Sequence, residues 1–471
     1  MSTIEQTTPA PTGFVSTDDA AAAALPELLR TGREGLVIAS GRAAVVVVPV
    51  LSIFFTFHRT PFGLIEAGGQ GAIWFLALRS TFAAAWLSAL ALGVPTAAAL
   101  GTMTGLAGVT LFEFWIPGSE LKPTELLTMS AGVLVASATF ETLAAVRLRR
   151  RRGVLIVGAS FGGAELANEL LQQPELPFRC LGVVCDEDDA DRLPPALVLG
   201  GPADLIEIVR SQRPDIVVLA RSDYHSTTVS RLVDSASIGF RLVGVPEFYE
   251  HAFGRVPIEY LSPTWFMSVL HLYQHSYSRA TKRLLDLVLA SAGLLVTVPL
   301  LPLIAWLVHR SGPGPVVFRQ RRLGEGGRTF EMLKFRTMRD SAEQPGQPKW
   351  AVEDDSRATP VGRVLRRTRL DELPQLWNVL RGDMSIVGPR PERPEYLELL
   401  KSEVPYWTQR HLIKPGITGW AQVRRGYTSD VGGTADKLSY DLYYLKHRSL
   451  TLDLAIAVKT ARIVVSGEGA Q

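Results

Sequence analysis

Cysteine, charged residues and any excess of one charge sign are all scarce in this chain of 471 residues. Only Cys180 and Cys185 occur, with no second pair and no histidine at a metal-binding spacing. That excludes a disulfide framework and a zinc site, and fits thiols kept reduced in the cytoplasm. Charged residues make up 20% against 47% apolar ones, and the mean hydropathy is +0.15. A soluble domain typically carries about 25% charge, so membrane-crossing segments are the first expectation. The formal net charge of +3 calls for no acidic partner, and nucleic acid is not among the partners expected. No basic stretch precedes an apolar core at the start, so residues 1–34 read as a disordered polar tail and not as a signal peptide.

What is plentiful is apolar sequence. Gly35 to Phe57, Ala72 to Val94, Pro95 to Ile116 and Thr124 to Val146 each approach the ~20 residues that cross a bilayer. They are apolar nearly all round, where a soluble bundle would show polar stripes. Gly93, Val94 and Pro95 form a tight turn between the second and third, and Arg79 and Glu113 are expected to face the bundle interior. Arg147, Arg149, Arg150, Arg151 and Arg152 place the end of the fourth stretch in the cytoplasm, and Arg30, Arg33 and Arg42 do the same for the start of the first. The expectation is a four-span α-helical membrane bundle over 35–148.

From Gly153 short apolar runs alternate with helical stretches. Val154 to Gly158, Cys180 to Val184, Asp215 to Leu219 and Arg241 to Val245 are strand signals, which predicts a doubly wound, Rossmann-like α/β domain over 149–250 on the cytosolic side. Its phosphate fingerprint is degenerate: Gly158 and Gly162 match poorly in spacing, and Ser160 stands where the second glycine belongs. Asp186 follows the second strand in the position of a ribose ligand, inside the acidic run Glu187, Asp188 and Asp189. A domain that binds no nucleotide is the favoured reading. A linker over 251–277, carrying Trp265, Phe266 and Met267, leads to the last region.

That region, 278–471, opens on a fifth apolar segment, Leu284 to Val308, with Lys282, Arg283, His309 and Arg310 at its two ends. Basic residues on both flanks keep both ends on one membrane face. Pro299 and Pro302 remove backbone donors and should bend the helix. Asp286 is tolerable near the headgroups, where Arg283 can reach it. The segment is therefore expected to be a re-entrant membrane hairpin over 284–308.

Beyond it lie loops rich in arginine, glycine and proline. Lys334 and Arg336 place two cations around a strand, and Arg366, Arg367 and Arg369 stand just before the adjacent carboxylates Asp371 and Glu372. Pro389-Arg390-Pro391 is a stiff turn that fixes one arginine, and Lys414 to Val423 is a further rigid loop. Fixed arginines around two carboxylates point to a diphosphate site, because a guanidinium grips phosphate oxygens bidentately. The carboxylates would be repelled by phosphate unless one recruits Mg²⁺ or attacks phosphorus. The bland alternative is acidic capping of a helix starting near Leu373, with Pro374 in its first turn.

These segments, in this order over Ser278 to Gln471, resemble the bacterial sugar transferases, the polyprenyl-phosphate hexose-1-phosphate transferases, and in particular their long multi-span members. The resemblance rests on Lys282-Arg283-x-x-Asp286, the Gly314-Pro315 to Gln320 stretch, Lys334 to Met338, Asp371-Glu372-Leu373-Pro374-Gln375, Pro389-Arg390-Pro391 and Gly416 to Val423. One departure stands at the helix break, where Val298 precedes Pro299 and the family often has serine. The resemblance implies a small α/β catalytic domain in which Asp371 attacks the β-phosphate of a UDP-sugar and expels UMP. Undecaprenyl phosphate then takes the phosphosugar from the aspartate. Asp371 and Glu372 would hold Mg²⁺, while Lys334, Arg336, Arg366 and Arg390 bind the phosphates, and Asp441 matches an aspartate that orients an arginine. It also implies a multi-pass protein of the bacterial inner membrane, with membrane lipid as a partner, a homodimer as one allowed assembly, and the first membrane step of exopolysaccharide, capsule or O-antigen synthesis as its place. A membrane-anchored nucleotide sensor and a non-catalytic scaffold of a glycan assembly complex are the competing classes. No residue pattern names the sugar.

Overall fold

The computed structural model describes residues 41, 43–52, 61–83, 94–115, 122–147, 151–160, 162–174, 176–220, 239–261, 265–266, 279–339, 357–425 and 431–466. The chain divides into two units, Met1–Phe248 and Tyr249–Gln471.

The first unit begins with helices α1 (Ala43–Ser52), α2 (Pro61–Ala83), α3 (Val94–Trp115) and α4 (Pro123–Arg147). Helix α2 starts at Pro61, eleven residues before the stretch expected from Ala72, because proline's fixed φ suits a first helical turn. Helices α2 and α3 are tied by Trp74 Nε1–H, which donates to the Thr102 carbonyl at 3.2 Å. Among the described residues Pro123–Leu143 and Arg279–Arg310 are long and apolar enough to cross a membrane, while Ala43–Ser52, Ala67–Leu78 and Ala97–Phe112 are shorter apolar helices. The expected Gly93 turn, the basic residues Arg30, Arg33, Arg42, Arg149 and Arg150, and the side chains of Arg79, Glu113 and Arg147 lie outside the described residues.

Next comes a parallel five-stranded sheet in the order β3-β2-β1-β4-β5. Its strands are β1 (Arg152–Val157), β2 (Phe178–Val184), β3 (Val198–Gly200), β4 (Ile216–Leu219) and β5 (Arg241–Gly244), with helices α5 (Gly163–Gln172) and α6 (Leu205–Gln212) among the crossovers. This is the doubly wound arrangement expected of alternating strands and helices. The buried side chains Leu155, Val157, Val184, Leu205, Val209 and Val217 form its core. β3, only three residues long, carries too short a run to stand out in the sequence. In the loop after β1 the third glycine is Gly163, not Gly162. A Cβ on Gly163 would lie 2.1 Å from the Gly158 carbonyl oxygen and 2.8 Å from Ala220 Cβ. Gly158, Ser160 and Gly163 therefore hold the fingerprint spacing, with the second glycine replaced.

The second unit takes in the end of helix α7 (Val245–Phe253) and stretches expected to be linker. Glu250 accepts hydrogen bonds from Trp265 Nε1 at 2.6 Å and Lys446 Nζ at 2.8 Å, and lies 2.7 Å from His447 Nε2. Val256 exchanges bonds with Ser439, and Trp420 Nε1–H donates to the Gly254 carbonyl. These residues are packed into the unit; Met267 lies outside the described residues.

The apolar segment forms α8 (Arg279–Thr297), a 3₁₀ turn at Val298–Leu300 and α9 (Leu301–Arg310). The hairpin of β6 (Val317–Leu323) and β7 (Thr329–Phe335) follows, then α10 (Pro360–Arg367), α11 (Gln375–Arg381), β8 (Ser385–Val387), α12 (Leu397–Glu403) and β9 (Gly416–Thr418), which pairs parallel with β8. Helices α13 (Trp420–Arg425), α14 (Val431–His447) and α15 (Leu450–Ser466) close the unit. At the break, two residues before Pro299, Thr297 Oγ1–H donates to the Gly293 carbonyl at 2.7 Å.

Both arms of the segment are anchored to the same small domain. Ala290 of α8 is clustered with Met332, Val379 and Met384, whereas Ile304 and Val308 of α9 are clustered with Phe335 and Leu365. The polar anchors differ from those expected. Asp286 accepts from Ser385 Oγ at 2.8 Å and Ile386 N at 3.0 Å, with Lys282 Nζ at 3.6 Å. Arg283 instead donates to the Val379 and Leu380 carbonyls, each at 2.6 Å, in the last turn of helix α11, where Val379 also accepts from Gly382 N–H at 3.0 Å.

Arg336 has the same kind of task. It was expected at the phosphate site, but β7 ends at Phe335, the side-chain alternation stops there, and its buried guanidinium donates to the Pro313 (2.7 Å), Val308 (2.9 Å) and Gly312 (2.6 Å) carbonyls. Its role is to close the end of α9. Arg336→Lys should therefore lower thermal stability, by about 2 kcal/mol or more for a lost charged bond that leaves buried carbonyls unpaired, while KM for the donor substrate stays within about twofold. An unchanged melting temperature with a raised KM would return Arg336 to the phosphate site.

Candidate active site

Asp371 and Glu372 sit in a 3₁₀ turn, Leu370–Glu372, entered through Arg369, whose φ of 55° lies in the left-handed region. A non-glycine residue there costs roughly 1 kcal/mol, a local strain placed next to the two carboxylates. Helix α11 begins at Gln375 with Pro374 at its N-cap, two residues later than expected, so Pro374 is not in the first turn and the two acids stand ahead of the helix in a turn of their own.

Two buried carboxylates side by side cannot both be charged without nearby cations. Glu372 receives them. Its Oε1 lies 3.2 Å from Lys334 Nζ and 3.5 Å from Arg390 Nη1. Burial pushes the Glu372 carboxyl upward, but Lys334 and then Arg390 outweigh it and hold the group at about 2. Asp371 is also buried and has no hydrogen bond or ion pair among the described residues. Burial pushes its carboxyl up to about 6, against the pull of Lys334, Arg366 and Arg390 and with the push of the Glu372 charge. One carboxylate is thus a fixed anion that holds cations, and the other is poised near neutrality.

Of the residues expected at the site, Lys334 on β7, Arg366 at the end of α10 and Arg390 after β8 are gathered around the acids. Arg366 makes no ion pair among the described residues and acts on Asp371 through its charge. Arg336 is not brought there. Asp441 on α14 is buried away from the two acids, and its Oδ2 lies 2.7 Å from Arg410 Nη2. Burial pushes the Asp441 carboxyl up to about 6 even though Arg410 pulls the other way. Arg410 was missed in the sequence. It belongs to no recognisable motif, and its partner is distant in the chain; the one signal was that Asp441, lying in an apolar helical stretch, would need a buried cation.

Arg390 is aimed by backbone. Gly388 N–H donates to the Thr418 carbonyl and Gly416 N–H to the Pro389 carbonyl, both at 2.9 Å. A Cβ on Gly416 would lie 2.1 Å from Gly388 N, and one on Gly388 would lie 2.4 Å from the Lys414 carbonyl oxygen. Only glycine lets the two loops approach this closely.

The arrangement, a buried and unpartnered carboxylate ringed by cations on rigid loops, can bind phosphate and attack it. Comparison with known proteins agrees in kind. The bacterial sugar transferase family model matches residues 277–467, the whole of this site, and a CoA-binding domain model matches residues 126–237, the end of the helical region and most of the parallel sheet. The chain is 40% identical over 227 residues to a UDP-N-acetylgalactosamine-undecaprenyl-phosphate N-acetylgalactosaminephosphotransferase of Aeromonas hydrophila, covering 48% of this chain and 53% of that protein. It is 36% identical to a UDP-glucose:undecaprenyl-phosphate glucose-1-phosphate transferase of Xanthomonas campestris pv. campestris, covering 65% of each, so it spans about half to two thirds of these relatives. A glucose-1-phosphate transferase of the same description from Klebsiella pneumoniae is 31% identical over 340 residues, 71% of this chain and 73% of that protein. With that coverage, and with the matched segment lying over the carboxylates and their cations, the chain belongs to the bacterial sugar transferase family.

Proposed function

We propose that the protein transfers a sugar-1-phosphate from a UDP-sugar to undecaprenyl phosphate through a covalent intermediate on Asp371. The observation that carries the reading is the split between the two acids: Glu372 is neutralised by Lys334 and Arg390, while Asp371 is left without a partner. In the first step an Asp371 carboxylate oxygen bonds to the β-phosphorus of the donor, the bond from that phosphorus to the bridging oxygen breaks, and UMP leaves with the electron pair. In the second, an oxygen of the carrier phosphate bonds to the same phosphorus and the Asp371 carboxylate is restored. No proton is needed in either step. Lys334, Arg366 and Arg390 neutralise the charge that builds on the phosphoryl oxygens, which is the main burden of such reactions.

A magnesium ion fits this donor set. No group of three or more metal-ligating side chains occurs among the described residues, and Mg²⁺ needs only one or two carboxylates, completing its shell with phosphate oxygens and water. Asp371 and Glu372 would hold it, and when bound it supplies further neutralisation of the diphosphate.

The proposed setting is the cytoplasmic face of the bacterial inner membrane, with Arg279–Arg310 entering one leaflet and returning. Support comes from the break at Val298–Leu300 and from the two anchored arms. Ala290 and Ile304 would be ~21 Å apart on a straight helix, whereas their cluster neighbours Met332 and Phe335 are ~10 Å apart along β7. Leu295 and Val296, near the break, are 79% and 75% exposed, which calls for an apolar surrounding.

Asp371→Asn should abolish transfer, and wild-type protein given a panel of UDP-hexoses and UDP-N-acetylhexosamines should follow ping-pong kinetics with a phosphosugar trapped on Asp371. Intersecting double-reciprocal lines, with UMP appearing only when both substrates are present, would refute the covalent step.

The pH profile has a defined sign. Attack needs the carboxylate, so kcat/KM should fall about tenfold per pH unit below about 6 and level off above it. A flat profile down to pH 5 would mean that Asp371 does not limit the reaction.

For the hairpin, single cysteines at Thr281 and Ser311, in a chain lacking Cys180 and Cys185, should both resist an impermeant thiol reagent outside intact cells. Labelling of either one from outside would replace the hairpin by a full crossing.

A further inference from the structure

We propose that Arg410 is a positioning residue that fixes the Pro389-Arg390-Pro391 turn and so holds the Arg390 guanidinium at the phosphate site; this rests on the transfer reaction proposed above. The turn has few handles. Pro389 and Pro391 have no N–H, so it must be held largely through its carbonyls. Four in a row are taken. Pro389 accepts from Gly416 N–H at 2.9 Å, Arg390 from Arg410 Nη2 at 3.0 Å, Pro391 from Arg322 Nη1 at 3.0 Å, and Glu392 from Leu323 N–H at 2.9 Å. The bond at the residue whose side chain reaches Glu372 is the one made by Arg410.

Arg410 is itself immobilised. Its side chain is 3% exposed, with Nη2 at 2.7 Å from Asp441 Oδ2 and Nη1 at 3.5 Å from Glu392 Oε1. The guanidinium carbon lies 4.3 Å from the Trp407 ring centroid. A buried guanidinium is costly unless paired, and here the pairing leaves one Nη in contact with both a carboxylate and the Arg390 carbonyl. The chain of contacts runs from Asp441 on α14 through Arg410 to the Arg390 carbonyl, and from there along the Arg390 side chain to Glu372, which holds its far end. A misplacement of about 1 Å at such a site costs on the order of 100-fold in rate.

The test uses the full chain in lipid nanodiscs with a UDP-sugar it turns over. Arg410→Lys keeps the charge but cannot span Asp441 and the Arg390 carbonyl together. It should lower kcat/KM by about tenfold or more, and the double variant with Arg390→Ala should be within about twofold of Arg390→Ala alone, because both act through one guanidinium. Amide exchange in Arg410→Lys should speed up in residues 385–393 and stay unchanged in the β6–β7 hairpin. Multiplied losses in the double variant, an unaltered exchange pattern, or a fully active Arg390→Ala would each overturn the proposal. If Arg410→Lys does not fold, Asp441→Asn takes its place in the same cycle; if neither folds, the pair holds the fold and not the turn, and the proposal fails. Wild-type protein inactive on every UDP-sugar would refute the transfer reading alone, since the exchange measurement still decides what Arg410 does.

Discussion

Neighbouring acids in a buried turn repel one another and resist losing water, and the arrangement of Lys334 and Arg390 answers both problems for only one of them. Glu372 takes the two cations and is held at about 2, while Asp371, one residue earlier, is pushed up to about 6. Their surroundings push two like groups in opposite directions, which is how a pair of carboxylates acquires two roles. A hydrogen-bonded Asp371 would be a poorer nucleophile, and an unpaired Glu372 would push its neighbour further toward the protonated form. Separate parts of the second unit, β7, the end of α10 and the loop after β8, bring cations to this turn.

Those parts are rigid for reasons that differ. Lys334 stands on a strand paired along its whole length with β6. Arg390 stands on a loop pressed against Gly416 so closely that a single methyl group would have no room. Asn378, fully buried on α11, accepts from Leu333 N–H at 3.0 Å and donates to the Glu331 carbonyl at 2.7 Å, which ties the helix following the acids to the strand that carries Lys334. The positions of Lys334 and Glu372 are therefore set by backbone bonds on both sides, and their ion pair does not have to order two free side chains. That distinguishes it from exposed ion pairs, where the ordering cost cancels most of the attraction.

Much of this was legible in the sequence because the chemistry is local. Asp371 and Glu372 are adjacent, Arg366 stands one turn away, and the prolines and glycines around Arg390 advertise a stiff loop. The strand–helix alternation after Gly153 likewise pointed to the parallel sheet, although β3 is too short to show. What could not be seen was which basic residue faces which acceptor. Lys334 and Arg336 lie two apart and would share a face if the strand continued, but it ends between them, and Arg336 turns to the carbonyls at the end of α9. Arg283 was assigned to Asp286 on helical spacing, yet its forked guanidinium bridges two successive carbonyls at the end of α11, and Lys282 is left to the acid. Gly162 was preferred to Gly163 for the same reason: spacing alone does not tell which glycine meets the Gly158 carbonyl. In each case the missing information was long-range packing, which no local pattern contains.

One strand joins the apolar hairpin to the chemistry. Along β7 and just beyond it, Met332 is in the cluster that holds Ala290 of α8, Lys334 pairs with Glu372, Phe335 is in the cluster that holds Ile304 and Val308 of α9, and Arg336 binds the Val308 and Gly312 carbonyls. These four residues lie within ~13 Å of extended chain. A second tie comes from Lys282, which lies 2.6 Å from Asp453 and donates to the Val387 carbonyl, one residue before the glycine that leads to Arg390. In the proposed reaction the carrier lipid keeps its phosphate at the membrane surface, so the acid that meets it must stand at a fixed height above the hydrocarbon. An apolar hairpin attached by flexible loops would let that height drift. With the proposed re-entrant hairpin packed at both arms against this strand and held by the residue after it, its depth in the membrane and the position of the phosphate site would be one quantity, and a change in either would be transmitted to the other.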